Sequence, residues 1–256
     1  MTGTFPPAVV LRDVGRTYTA GVTALADIDL HISAGSFVAV VGPSGCGKST
    51  LLHLLCGLDE PSTGRVHIGD GGPGDARRDK RIGWMAQQPA LLPWSTVLDN
   101  VALAQGINPR PQRSVATPRE LLEMVGVADF AGARPGELSG GMQQRVALAR
   151  TLAVGATLWL MDEPFSALDE LTRETLAGDL LDLWRRMGPT VVWVTHHIPE
   201  AVRMADRLVL LSPRPGRVVG DLAVDLDRPR DDTSVEVQKL VRQARDILRS
   251  SAGERW

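Results

Sequence analysis

Cysteine, aromatic residues and surplus charge are all scarce in this chain. Its 256 residues hold two cysteines, Cys46 and Cys56, which lack the number and spacing of a disulfide framework or a metal site. Both read as free buried thiols in a reducing compartment. Aromatic side chains make up 4% of the residues, and Tyr18 is the single tyrosine. A formal net charge of -2 gives no global basic field of the kind nucleic-acid binding uses, so any anion recognition must be local. The apolar stretch 152–161 falls short of the about 20 residues that a bilayer crossing takes, so a role at a membrane requires a separate spanning subunit. Residues 1–12 lack the charged start and long apolar run of a secretory signal. Internal repeats and low-complexity tracts are missing as well.

What is present is ordinary globular material, 43% hydrophobic and 23% charged, enough for one large domain or one domain carrying an inserted lobe. Short β-prone runs at 9–11, 28–32 and 37–41, and again at 158–161, 191–195 and 208–211, alternate with helical patterns such as 49–57 and 168–186. Run 37–41 is apolar throughout, as a strand covered on both faces would be. The alternation predicts an α/β fold with a mostly parallel sheet and helices on both faces. Strand signals stop between Gln88 and about Ala153, where a helical lobe with Pro-rich breaks at 108–112 and 133–136 interrupts the sheet domain. The expected division is a core of 1–87 and 154–229, a helical subdomain of 88–153, and a C-terminal helix and tail of 230–256. That helix starts near Asp232 or Thr233 and carries Val237, Leu240, Val241, Ala244 and Leu248 at helical spacing, with 250–256 reading as disordered. The Gly- and Pro-rich run 69–75, followed by Arg77, Arg78, Lys80 and Arg81, reads as an exposed turn with a solvated charge cluster.

Three segments carry chemistry. The string Gly42-Pro43-Ser44-Gly45-Cys46-Gly47-Lys48-Ser49-Thr50 holds a complete phosphate-loop pattern between an apolar strand and a helix, the context that gives the pattern meaning. Backbone N–H groups there can wrap a β-phosphate, while Lys48 neutralises charge and Ser49 offers an oxygen to Mg2+. Kinases, GTPases and motor ATPases all carry such a loop, so it names no reaction by itself. Downstream, 158–161 leads into Asp162 and Glu163, two carboxylates at the end of a buried strand, where open α/β sheets place their ligands. Asp162 suits an outer contact to Mg2+, and Glu163 suits orienting or deprotonating a water that attacks a γ-phosphate. The third segment, Leu138-Ser139-Gly140-Gly141-Met142-Gln143-Gln144-Arg145, has no obvious job in a self-sufficient nucleotide pocket. Ser139 can cap the helix that follows, and Gly140 and Gly141 let backbone N–H groups approach a phosphate closely. Its four central residues alone would read as an ordinary capped helix; the longer string beside the other two motifs does not.

In this order the motifs resemble those of the nucleotide-binding subunits of ABC transporters, whose signature is Leu-Ser-Gly-Gly-Gln or a close variant. Met142 stands at the fifth place, a variant similar to those of bacterial importers. The resemblance runs from Tyr18 to about Leu211. It implies a P-loop NTPase sheet domain with an inserted helical subdomain and a small antiparallel β region, with ATP and Mg2+ as cofactors and ATP hydrolysis as the activity. It also implies a head-to-tail dimer in which each ATP lies between Lys48 of one copy and Ser139 of the other. By the same resemblance His196 is the switch histidine that contacts the γ-phosphate, and Gln87 joins the sheet domain to the helical lobe and reaches Mg2+ and the water. Gln88 is the neighbouring alternative to Gln87. Tyr18 stacks on adenine, and 166–169 crosses the dimer interface beside Glu163. The family commonly has Asp where this chain has His197.

Leu91-Leu92-Pro93-Trp94, Gly72-Pro73-Gly74 and Ser212-Pro213-Arg214-Pro215-Gly216-Arg217 look like the importer subgroup that handles nitrate, aliphatic sulfonates and taurine. An apolar patch with Pro93 and an exposed Trp94 would suit a helix of a transmembrane permease, unless Trp94 merely caps the core of the lobe. The resemblance thus implies permease subunits as partners, a solute-binding protein indirectly, no nucleic acid, and a place on the cytoplasmic face of the cell membrane. Two other classes compete. A soluble ABC-type ATPase acting on nucleic acid or ribosomes finds no duplicated cassette, coiled-coil insertion or basic face here, and a small-molecule phosphotransferase leaves 138–145 without a role.

Overall fold

In a computed structural model, which describes residues 5–108, 111 and 115–252, the chain alternates strand and helix along most of its length. Its first part runs β1 (Val9–Thr17), β2 (Thr23–Ile32), β3 (Phe37–Val41), α1 (Lys48–Cys56), β4 (Thr63–Ile68), α2 (Pro73–Arg78) and β5 (Ile82–Met85). Helices follow, α3 (Val97–Ile107), α4 (Pro118–Met124) and α5 (Gly140–Ala153), and then β6 (Leu158–Asp162) and α6 (Glu170–Met187). The chain closes with β7 (Thr190–Thr195), α7 (Ile198–Met204), β8 (Arg207–Leu211), β9 (Val218–Ala223) and α8 (Val235–Ala252). It forms two compact units, one holding Pro7–Ala76 with the segment from Thr190 onward, the other Arg77–Pro189.

In the first unit β3 lies between β7 and β8, parallel to both, with Phe37 opposite Val191 and Val38 opposite Arg207; β9 closes the edge antiparallel to β8. Strands β3 and β7 are buried at every position, which is why their sequences are unbroken apolar runs rather than alternating ones. A separate antiparallel sheet of order β2-β1-β4 pairs Val9 with both Ile32 and Ile68. Helix α8 packs on α7, β8 and β9 and buries Val237, Val241 and Ala244, the apolar stripe expected of it.

The second unit pairs β5 with β6 in parallel, Met85 opposite Met161, and packs α5 on α3 and α4. No strand lies between β5 and β6, as the loss of strand signals there predicts for the described residues. Local capping starts each helix: Thr96 Oγ1 accepts from Asp99 N, and Thr117 with Glu120 forms a reciprocal cap ahead of Pro118. Buried Asn100 ties down the segment before α3, its Nδ2 donating to Thr96 O (2.9 Å) and its Oδ1 accepting from Leu92 N (2.7 Å).

Several details depart from the sequence expectations. Strands β4 and β9 carry a weak apolar pattern because each is an edge strand with one partner, and Arg65, His67 and Asp221 point outward. Residues 73–78 form α2 instead of a turn: Pro73 opens the helix and Ala76 is buried, although Arg77, Arg78 and Lys80 are exposed as expected. Helix α8 begins at Val235, later than 232 or 233, because Asp231 Oδ1 holds Thr233 N (2.8 Å) in a turn and Ser234 Oγ accepts from Val237 N (3.4 Å). The helix continues through Ala252, so 250–252 are ordered helix, while 253–256 lie outside the described residues. Of the Pro-rich break 108–112, Asn108 and Pro111 are described, and Asn108 Nδ2 donates to Val154 O (2.7 Å). Among the described residues no helix is long and apolar enough to cross a membrane.

Candidate functional site

The strand–loop–helix joint between Val41 and Lys48 is built around glycines whose backbone angles or close neighbours disfavour a side chain. Gly45 (φ 74°) and Gly47 (φ 107°) adopt left-handed backbone conformations. A Cβ on Gly42 would stand 2.8 Å from Cys46 Sγ and 2.9 Å from Leu211 O. No side chain caps α1, so the N–H groups of its first turn and the positive end of its dipole are available to an anion. Lys48 is buried, and its Nζ donates to the carbonyls of Gly42 (2.8 Å) and Pro43 (3.0 Å), which holds the ammonium inside the curve of the loop. Burial pushes the Cys46 thiol up despite the nearby Lys48 charge, and so disfavours its thiolate. Ser44 and Gly45 are exposed at the loop's outer turn. Thr50 lies one step on, and its Oγ1 sits 3.1 Å from the hydroxyl of Tyr18, whose ring carries the Arg16 guanidinium 4.9 Å from its centroid. Arg16 is anchored in turn by Asp59 and the Glu60 carbonyl.

Register brings His196 to this loop. Val41 pairs with Thr195 across parallel β3 and β7, so the residues that follow both strands emerge side by side. His196, Gly42, Pro43 and Ser44 line a cleft of about 550 Å3 whose far wall is Arg245, Leu248 and Arg249 of α8. That wall was not legible in the sequence. His197 is absorbed by local structure: its N–H donates to Thr195 Oγ1 (3.0 Å), and its Nδ1 accepts from Glu200 N (3.3 Å) as the cap of α7. An Asp at this place would make the same cap, so the departure from the family pattern leaves the hydrogen bonding intact.

The remaining predicted residues belong to the second unit. Asp162 is the buried last residue of β6, and Glu163 follows it at φ 48°, a strained conformation for a residue with a side chain. Parallel pairing of Met85 with Met161 carries the chains leaving β5 and β6 in the same direction, and Gln87 Nε2 reaches Glu163 Oε2 at 3.5 Å. Ser139 caps α5, its Oγ accepting from Met142 N (3.3 Å). A Cβ on Gly140 would meet open space, whereas one on Gly141 would stand 3.1 Å from Ala167 O. Segment 166–169 therefore lies against the start of α5, a proximity that no spacing in the sequence announces. Within the signature-like string the polar side chains divide by task. Gln143 Nε2 turns back to Pro135 O (3.0 Å) and Arg145 to Gly126 O (3.1 Å), fastening the chain that leads into α5. Trp94 is 71% exposed, so it does not cap the core of the lobe.

A family model described as ABC transporter matches residues 25–166. The chain is 52% identical over 206 residues to the aliphatic sulfonates import ATP-binding protein SsuB 3 of Pseudomonas syringae pv. tomato, covering 80% of this chain and 73% of that protein. It is 44% identical over 260 residues to SsuB of Pseudomonas fluorescens Pf0-1, covering 99% and 93%. An uncharacterized ABC transporter ATP-binding protein of Methanocaldococcus jannaschii is 45% identical over 233 residues, covering 89% and 85%. Among solved structures, the dimeric post-hydrolysis state of the ATP-binding cassette MJ0796, bound to ADP and Pi, superimposes with a TM-score of 0.77 at 36% identity, covering 86% of this chain and all of that one.

Proposed function

Because this chain belongs to the ABC transporter family, we propose that it works on the cytoplasmic face of the membrane as the motor of an aliphatic sulfonate importer. It is an ATP-binding subunit of an ABC importer and an ATPase. Relatives named for aliphatic sulfonates support that solute class over nitrate and taurine. Its partners are a second copy of itself, a membrane permease that docks on the exposed Trp94 patch, and indirectly a solute-binding protein, with no role for nucleic acid. The proposed division of labour is a nucleotide-binding core of 1–87 and 154–229, a helical subdomain of 88–153 and a C-terminal helix and tail of 230–256.

Each ATP lies on the loop of one copy, with its phosphates on the N–H groups of residues 42–50 and Lys48, and its adenine on Tyr18. His196 contacts the γ-phosphate. Ser139, Gly140 and Gly141 of the second copy bring the N-terminus of α5 to the same γ-phosphate. Glu163 takes a proton from, or orients, the attacking water, and Gln87 positions that water with its neutral amide. Ser49, Asp162 and Gln87 would each offer an oxygen to Mg2+, which when bound would neutralise charge on the phosphates. Closure on ATP by contacts from both copies, and release after hydrolysis, would drive the permease between its two states.

The observation that carries this reading is the helix start capped by Ser139 and open at Gly140, which a self-sufficient pocket would not need. Glu163→Gln tests it. The variant should bind ATP, run as a stable dimer in size-exclusion chromatography, and lose on the order of 100-fold or more in turnover. Reconstituted with its permease, it should no longer support uptake of a labelled alkanesulfonate. A variant that stays monomeric with ATP and turns over at the native rate would count decisively against the motor.

A further inference from the structure

We propose that the loop Ser212–Arg217 braces the phosphate loop from outside, and that Arg214 is a positioning residue that sets its affinity for nucleotide phosphates. This rests on residues 42–50 being the phosphate site. The bracing loop is internally tied. Ser212 N donates to Arg217 O (2.9 Å), Arg217 N donates to Ser212 Oγ (3.0 Å), and that hydroxyl reaches the Pro213 and Pro215 carbonyls at 3.0 Å each. Two prolines remove further backbone freedom. Gly216 docks it: its N–H donates to Ala24 O (2.9 Å) and its carbonyl accepts from Ala26 N (3.0 Å). A Cβ on Gly216 would stand 2.2 Å from Cys46 O, so the two loops touch backbone to backbone.

Arg214 then lies over the exposed turn of the phosphate loop. Its Nε donates to Gly45 O (3.3 Å), and a Cβ on Gly45 would meet its guanidinium at 3.4 Å. The carbonyl of Gly45 and the N–H of Cys46 share one rigid peptide plane, so a hold on the first orients the second. Gly45 has a wide conformational range of its own, and an external donor removes that freedom before a ligand arrives. The guanidinium also adds a positive charge beside a site for polyanions. Arg217 of the same loop pairs with Asp27 instead, which leaves Arg214 as the brace's contact with the phosphate loop's exposed turn.

The test is titration of the full-length protein with a fluorescent ATP analogue and Mg2+, together with steady-state ATPase kinetics and thermal melting, on Arg214→Ala, Arg214→Lys and Lys48→Ala. Arg214→Ala should raise Kd and KM about fivefold, the loss of one charge-assisted hydrogen bond, with kcat within about twofold and the melting temperature unchanged. Arg214→Lys should recover most of the affinity, because its ammonium can still donate to Gly45 O. Native Kd in Arg214→Ala while Lys48→Ala loses binding overturns the bracing role and leaves the phosphate site standing. A fall in melting temperature and kcat without a change in Kd overturns it as well, by making Arg214 merely structural. Native binding by Lys48→Ala would overturn both.

Discussion

Gly47 joins two constraints at one residue: a left-handed φ of 107° and a Cβ direction that would bring a side chain within 2.7 Å of Ala24 O and of Leu25 Cδ2. Alanine there must either push β2 away or flatten the start of α1, and both disturb the N–H cradle. Gly47→Ala is expected to weaken ATP binding by at least about tenfold, roughly 1.4 kcal/mol, in the same fluorescence titration. Binding at native strength would show that the cradle tolerates the shift. At this scale much of the site was legible in the sequence. In the proposed site, phosphate recognition would use backbone N–H groups of consecutive residues, which is why Gly42 to Thr50 and Ser139 to Gly141 stand out as continuous strings. Arg214 and Arg16 were not legible, because they act on residues 169 and 43 positions away.

Caps decide the element scale. Asp169 is the cap of α6, its Oδ1 accepting from Thr172 N (2.9 Å). That backbone hydrogen bond, with the Thr172 hydroxyl adding to it, holds the Asp169 carboxyl below its ordinary value. A lowered folded pKa means that the stabilisation is complete above the unfolded carboxyl value of about 3.9 and is lost as pH falls through the folded one. Asp169→Asn keeps a capping oxygen and removes the titration. Melting curves between about pH 2.5 and 6 should therefore show a shallower acid decline for Asp169→Asn than for the native chain, and identical slopes would assign the decline to other carboxylates. Buried strands β3, β6 and β7 were easy to read, since coverage on both faces demands apolar residues at every position. The edge strands β4 and β9 and the short helix α2 were not, because each turns part of its surface to solvent and so breaks the apolar pattern.

For the whole molecule, the central issue is whether a site is shared between copies. In a head-to-tail dimer, Lys48→Ala removes the loop contribution and Ser139→Phe blocks the signature contribution. Mixing the two inactive variants then puts both defects in one site and leaves the other site intact. At equal amounts, half the dimers are mixed and each carries one working site, so about a quarter of the native ATPase rate should return if the sites act independently. No recovery on mixing, with mixed dimers verified by tags, would mean that each copy works alone or that both sites must fire together.

The amino-acid sequence by itself determined the class of fold and the order of the motifs, because burial periodicity and runs of backbone donors are local properties. Only the tertiary structure decided which side chains brace them. Parallel register sets His196 beside Gly42, Gln87 meets Glu163 across two strand ends, α8 walls the cleft, and Arg214 reaches the phosphate loop. Such contacts join residues far apart in the chain. Their geometry follows from how strands pair and helices pack, which no single stretch of residues encodes.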